Sequence, residues 1–156
     1  MRIVEVWLGE QRCAIPVGAI DEVLPVVEAR KLSGTPDWIV GVARLRGAFV
    51  PLLDASLICT GKPIVRTMNA RVILLQVGAG GGSMRLAVLV DRVGSLLTID
   101  FEASGTHPGI LGAGRGALTC IAADAAGDIY LLDPSKIVDE ENRKLFRDAI
   151  GSALNI

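Results

Sequence analysis

A chain of 156 residues of which 51% are hydrophobic can build one packed domain or two small lobes on a common core, which excludes a disordered chain. Sixteen basic against seventeen acidic side chains leave a net charge of -1, so no global field draws the protein onto nucleic acid or an anionic membrane, and any partner is recognised locally. Cys13, Cys59 and Cys120 are odd in number, far apart and outside any CxxC pair, as expected of reduced thiols in a cytoplasmic protein rather than of a disulfide framework or a zinc site.

The N-terminal "MRIVEVWLGEQRC" lacks the apolar core and cleavage site of a signal peptide, and charges or glycines interrupt every apolar run well short of a membrane span. "IVEVWL" (3–8) and "RCAIPV" (12–17), separated by a turn, predict a hairpin. "AIDEVLP" (19–25) fits a helical turn or a strand with a bulge, and Pro25 stops either. "GAFVPLLD" (47–54) and "ARVILLQV" (70–77) predict strands. "MRLAVLVDRVGSLLTI" (84–99) predicts a strand pair or one long strand bent at Gly94. "GALTCIAAD" and "DIYLLDP" predict a last hairpin, Gly116 to Pro134. Eight to ten short strands with tight turns imply closed or sandwiched all-β lobes rather than a parallel sheet with crossover helices.

The one predicted helix, about 135–154, has Asp133 as N-cap, Pro134 at its first position and acids before bases. Leu145, Phe146, Ala149, Ile150, Ala153 and Leu154 form its apolar stripe, expected to pack on the β-lobes; a detachable arm for a partner is the other role open to it. Asp54, Asp91 and Asp133 each end a strand at a turn, where an aspartate satisfies turn amides. No histidine or glutamate lies beside them in sequence to suggest a metal site.

Catalytic chemistry is scarce. His107 is the only histidine and lies among turn formers in "SGTHPG", so a thiol enzyme would need a low-pKa cysteine brought beside it in space. "GAGGGS" (78–83) and "GAGRG" (112–116) lack the Gly-Lys-Ser/Thr ending of a P-loop and open onto no helix, so no nucleotide cofactor is expected. A small-barrel ligand or nucleic-acid binder is the alternative; it requires exposed aromatics beside a basic groove. Trp7, Trp38, Phe49, Phe101, Tyr130 and Phe146 lie mostly in apolar runs.

"GTPDWIVGVARLRGAFVPLLD" (34–54) resembles the hallmark segment of CheW-like domains, matched by Pro36, Trp38, Ile39, Gly41, Val42, Leu45, Arg46, Gly47, Val50, Pro51 and Asp54. "CAIPVGAIDEVL", "RLAVLVDRVGSLLTI" and "IYLLDPSKIV" are similar to further segments of that family, so the likeness runs over nearly the whole chain. It implies a mainly β fold: one domain, 1–156, of two intertwined SH3-like five-stranded barrels sharing an apolar core, the hallmark segment linking the lobes. It also implies a non-enzymatic adaptor that joins chemoreceptor cytoplasmic tips to the regulatory domain of a CheA-type histidine kinase. Such an adaptor also pairs with other CheW-like domains in rings, and it is recruited to receptor arrays without entering the membrane.

By that resemblance Arg46 reaches Glu22, bracing a loop between lobes, and a receptor groove is lined by Val17, Ile20, Gly41, Val93 and Leu96. An internal ion pair is the other reading of Arg46 and Glu22, and both can hold. Pro36, Gly47, Pro51 and Asp54 are motif positions with structural roles. Arg44, Lys62 and Arg66 depart from the family's usual residues.

Overall fold

A computed structural model describes residues 1–78, 84–99, 118–124, 127–137 and 143–148, with the backbone alone described over 118–124. Among the described residues ten strands fall into two five-stranded sheets. The first has the order β8-β1-β2-β10-β9: β1 Arg2–Leu8, β2 Gln11–Pro16, β8 Arg92–Thr98, β9 Leu118–Asp124 and β10 Gly127–Leu132. The second has the order β3-β6-β7-β5-β4: β3 Ile20–Pro25, β4 Ile39–Leu45, β5 Ala48–Asp54, β6 Arg71–Val77 and β7 Met84–Val90. The chain starts in the first sheet, builds the whole second sheet and returns, so the two lobes are intertwined.

The crossings are short. A 3-10 turn at Val17–Ala19 carries β2 into β3, and Asp91 alone separates β7 from β8. The hallmark segment 34–54 is therefore not the link between lobes that the resemblance implied: it forms the β4–β5 hairpin inside the second sheet. The segment 84–99 breaks at Asp91 rather than at Gly94, and its two strands belong to different sheets. "AIDEVLP" takes the second of its two readings, a strand, Ile20–Pro25, whose register shifts between Ile20 and Glu22; the helical turn, Val17–Ala19, lies just before it.

Side-chain alternation explains why β6 and β7 are almost continuously apolar, since both faces of each strand are buried. Leu86, Val88 and Val90 enter the core shared by the sheets, with Val6, Leu8 and Ile15 opposite, whereas Ala87 and Leu89 turn into the second lobe with Leu52 and Leu74. The first lobe has its own small core of Ile3, Ala14, Ile99 and Ile129. Register shifts direct the edge strands to these cores. Ile20 and Ile39 pack with the shared core, whereas Leu24, Ala43 and Leu45, beyond the shift in each strand, pack inside the second lobe.

The second sheet is drawn toward closure by the chain that leaves β3. Arg30 and Val42 exchange backbone hydrogen bonds of 2.8 and 2.9 Å, laying the continuation of β3 against the free edge of β4. Gly41 permits this approach, because a Cβ there would overlap the Arg30 carbonyl, and its φ of +152° disfavours a side chain in any case.

Helix α1, Ala55–Thr60, and strand β4 are elements that the sequence reading did not assign. The caps of α1 are visible in retrospect: the Asp54 carboxylate accepts from Leu57 N at 2.9 Å, and Gly61 closes the helix in the left-handed conformation. The three strand-ending aspartates all bond turn or loop amides. Asp54 also accepts from Ile64 N, Asp91 accepts from Gly9 N and Val65 N, and Asp133 accepts from Ser135 N. The described helical residues near the C-terminus are Pro134–Ile137 and 143–148, with Phe146 fully buried and Leu145 packed on the shared core. The remainder of the predicted helix, its stripe residues Ala149, Ile150, Ala153 and Leu154, and the loop containing His107 lie outside the described residues.

Candidate functional site

The β4–β5 hairpin turns over two residues, Arg46 and Gly47, with φ of +50° and +78°. Positive φ at both central positions is the type I′ geometry, which matches the strand twist of a hairpin and usually selects Asn-Gly or Gly-Gly. Arg46 is the one non-glycine residue with positive φ among those described. A residue held in a sparsely populated conformation costs energy, and such residues concentrate at working surfaces.

The turn aims the guanidinium at Glu22. Arg46 Nε donates to Glu22 Oε2 at 2.9 Å and Nη2 donates to Oε1, a two-pronged pair that lysine would not reproduce. The pairing with Arg46 holds the Glu22 carboxyl below its ordinary value and raises the guanidinium, the hydrogen bonds contributing most in each case. The pair stays open to solvent, with side-chain exposures of 63% for Arg46 and 33% for Glu22. It joins β3 to the β4–β5 turn, the two edges of one sheet, rather than a loop between the lobes. Beside it Asp21 faces Arg85 at 3.5 Å.

The remaining residues assigned to the groove divide into three groups. Val17 and Ile20 are half-buried on the β2–β3 crossing, Ile20 against the shared core. Val93 is half-buried against the same core and Leu96 is 53% exposed on β8. Both groups flank β1, where Pro16, just before Val17, lies opposite Ile3 and Leu96 lies opposite Val4. Gly41 is buried beneath the Arg30 backbone and offers no surface. Among the motif positions, Pro36 accepts from Ile39 N at 3.0 Å in the turn entering β4, and Trp38 accepts from Asp54 N at 2.8 Å. Pro51 precedes Leu52, where pairing with β7 begins, so its missing N–H leaves no gap in that ladder. Arg44 is exposed on β4.

A second Arg–Glu pair escaped the sequence reading. Arg12 Nε donates to Glu5 Oε2 at 2.5 Å, with side-chain exposures of 9% and 13%, inside the β1–β2 hairpin of the first lobe. Its sequence signal is faint: charged residues at strand positions whose neighbours are apolar. Gly94 lies against it, since a Cβ there would overlap the Glu5 carboxylate. Next to the same hairpin, Arg92 of β8 stacks over Trp7 of β1, 4.8 Å from the ring centre.

Neither a nucleophile nor an aromatic platform emerges among the described residues. Burial pushes the Cys59 thiol up to about 12, with the Asp54 carboxylate adding to the effect, and pushes Cys13 higher still, the reverse of an activated cysteine. Phe146 is buried, while Trp7, Trp38, Phe49 and Tyr130 are half-buried rather than displayed along a basic groove. No described helix is long and apolar enough to cross a membrane.

The comparisons with known proteins agree with this architecture. The family model described as "CheW-like domain" matches residues 2–142. The protein named "Chemotaxis protein CheW" of Klebsiella aerogenes is 25% identical over 139 residues, 88% of this chain and 81% of that protein. The protein of the same name from Rhizobium meliloti is 29% identical over 92 residues, 59% of this chain and 57% of its own length. The crystal structure of a protein titled a scaffolding protein, from Thermoanaerobacter tengcongensis, superposes with a TM-score of 0.75 at 19% identity, covering 90% of this chain and 89% of that one, and thus shares the fold of two SH3-like lobes. The chain belongs to the CheW-like domain family.

Proposed function

We propose that the protein is a non-enzymatic adaptor that couples chemoreceptor cytoplasmic tips to the regulatory domain of a CheA-type histidine kinase, acting as one body over residues 1–156, and that the Arg46–Glu22 pair fixes its receptor-docking surface. The observation that carries the surface assignment is the two-pronged pair itself, held by an arginine at positive φ yet left open to solvent. A pair placed only for stability would gain little from such exposure. Left accessible, it supplies orientation and selectivity to an incoming helix, while Val17, Ile20, Val93 and Leu96 supply the apolar contact. Recruitment to arrays at the inner membrane follows from the receptors, and further CheW-like domains join through the same lattice.

The test is co-retention of a receptor tip and a kinase regulatory domain from one organism by the wild type, by Arg46→Ala and by the exchanged pair Glu22→Arg with Arg46→Glu. Wild type retaining both, with Arg46→Ala losing receptor selectively, is the expected result. Retention of neither by folded wild type overturns the adaptor assignment, and full receptor retention by Arg46→Ala overturns the role of the pair.

A further inference from the structure

At the other end of the second sheet the loop from α1 to β6 is exposed at residues 61–63 and 65–69, about 20 Å along β5 from the Arg46–Gly47 turn. Two carboxylates hold its base in place: Asp54 accepts from Ile64 N at 3.0 Å, and Asp91 accepts from Val65 N at 3.4 Å. Beneath it lies an open cavity of about 450 Å³ between Pro63 and Val65 on one wall and Leu8 and Gly9 of the β1–β2 turn on the other.

This loop displays what a folded surface normally hides. Val65 is 65% exposed and Met68 is 95% exposed, apolar side chains three residues apart on an anchored segment. Its charges have one sign. No aspartate or glutamate occurs between Asp54 and Asp91, whereas Lys62, Arg66, Arg71 and Arg85 all fall there. Lys62 and Arg66 are exposed and form no ion pair among the described residues. Arg71 is occupied, donating to the Met68 and Ala70 carbonyls and thereby shaping the loop tip. Two carboxylates also line the cavity: Asp91 at its floor, accepting from Gly9 N and Val65 N, and Glu10 on the β1–β2 turn, so the cationic side of the site is the outer face of the loop at Lys62 and Arg66.

We infer that this loop and cavity form a second docking surface, distinct from the Arg46–Glu22 surface, for an acidic amphipathic segment of a partner protein. One apolar side chain of the segment seats against Pro63 and Val65, and its carboxylates lie along Lys62 and Arg66. Charge complementarity selects this occupant: two exposed cations with no ion pair among the described residues stand beside the exposed Val65 and Met68, in a chain whose overall charge is slightly negative. A membrane is disfavoured because the cationic strip is short and Glu10 stands across the cavity from it.

The test titrates the isotope-labelled full chain with a synthetic helical peptide of about four turns, leucine on one face and glutamate on its flanks, and with the same peptide carrying lysine instead. The acidic peptide is expected to move the amides of Gly9 and of residues 62–68 in a salt-sensitive manner, and Lys62→Glu with Arg66→Glu is expected to weaken it about tenfold. Both substitutions are at exposed loop positions, so thermal midpoints close to wild type check the fold. Equal binding of the two peptides, shifts confined to Glu22 and Arg46, or no shift at residues 62–68 would each overturn the proposal. Binding to phosphatidylglycerol vesicles without binding to the acidic peptide would replace it with a lipid surface.

Discussion

The two Arg–Glu pairs present the same chemistry in opposite settings. Arg12 and Glu5 are sequestered in the first lobe, with exposures of 9% and 13%, whereas Arg46 and Glu22 lie in the open at the edges of the second sheet, with exposures of 63% and 33%. Removing a pair from water obliges each partner to keep the other, so a sequestered pair is fixed as structure. An exposed pair is screened and contributes little to folding, which leaves its charges free to be shared with a partner. Burial, not residue type, decides which pair works for the fold and which for recognition.

The sharpest way to break this contrast is to remove one arginine from each pair. Arg12→Ala is expected to cost about 4 kcal/mol, because it strands the Glu5 carboxylate in the first lobe. Urea denaturation measures it, and a loss no greater than that of Arg46→Ala would end the distinction. The glycine beside each pair gives a smaller, finer version of the contrast. Gly94→Ala pushes a methyl into the Glu5 carboxylate and is expected to cost about 2 kcal/mol, an overpacking penalty that Glu5→Ala relieves in the double variant. Gly47→Ala meets open space and carries only the positive-φ penalty, about 1 kcal/mol, with no coupling to Glu22→Ala.

The same difference explains what was legible in the sequence. The apolar runs "ARVILLQV" and "MRLAVLV" are legible as strands, and the spacing of turn residues discloses most of the others. The exposed Arg46–Glu22 contact was anticipated through a resemblance rather than through spacing, since 24 residues separate its partners. Strand β4 was obscured because "IVGVARL" holds a glycine and an arginine, and the glycine is explained only by the Arg30 backbone that packs onto it. Glu5 and Arg12 escaped notice because a charged residue in a strand ordinarily faces water. Their burial depends on the curl of the first lobe, which no local pattern encodes.

The smallest expected effect on stability is at Arg46. The Glu22 carboxyl is held below its ordinary value of 4.5 by the Arg46 hydrogen bonds, so the pair's contribution is present above that value and is lost as pH falls through the lowered one. At neutral pH the contribution is whole but modest, because both groups are solvated. Arg46→Ala is therefore expected to leave the neutral-pH urea midpoint near wild type and to flatten a shallow decline in stability below about pH 4.5. Receptor retention at neutral pH, in contrast, is expected to fall. A variant that lost retention only in proportion to a fall in stability would make the pair a brace. Lost retention at unchanged stability separates recognition from folding at this single side chain.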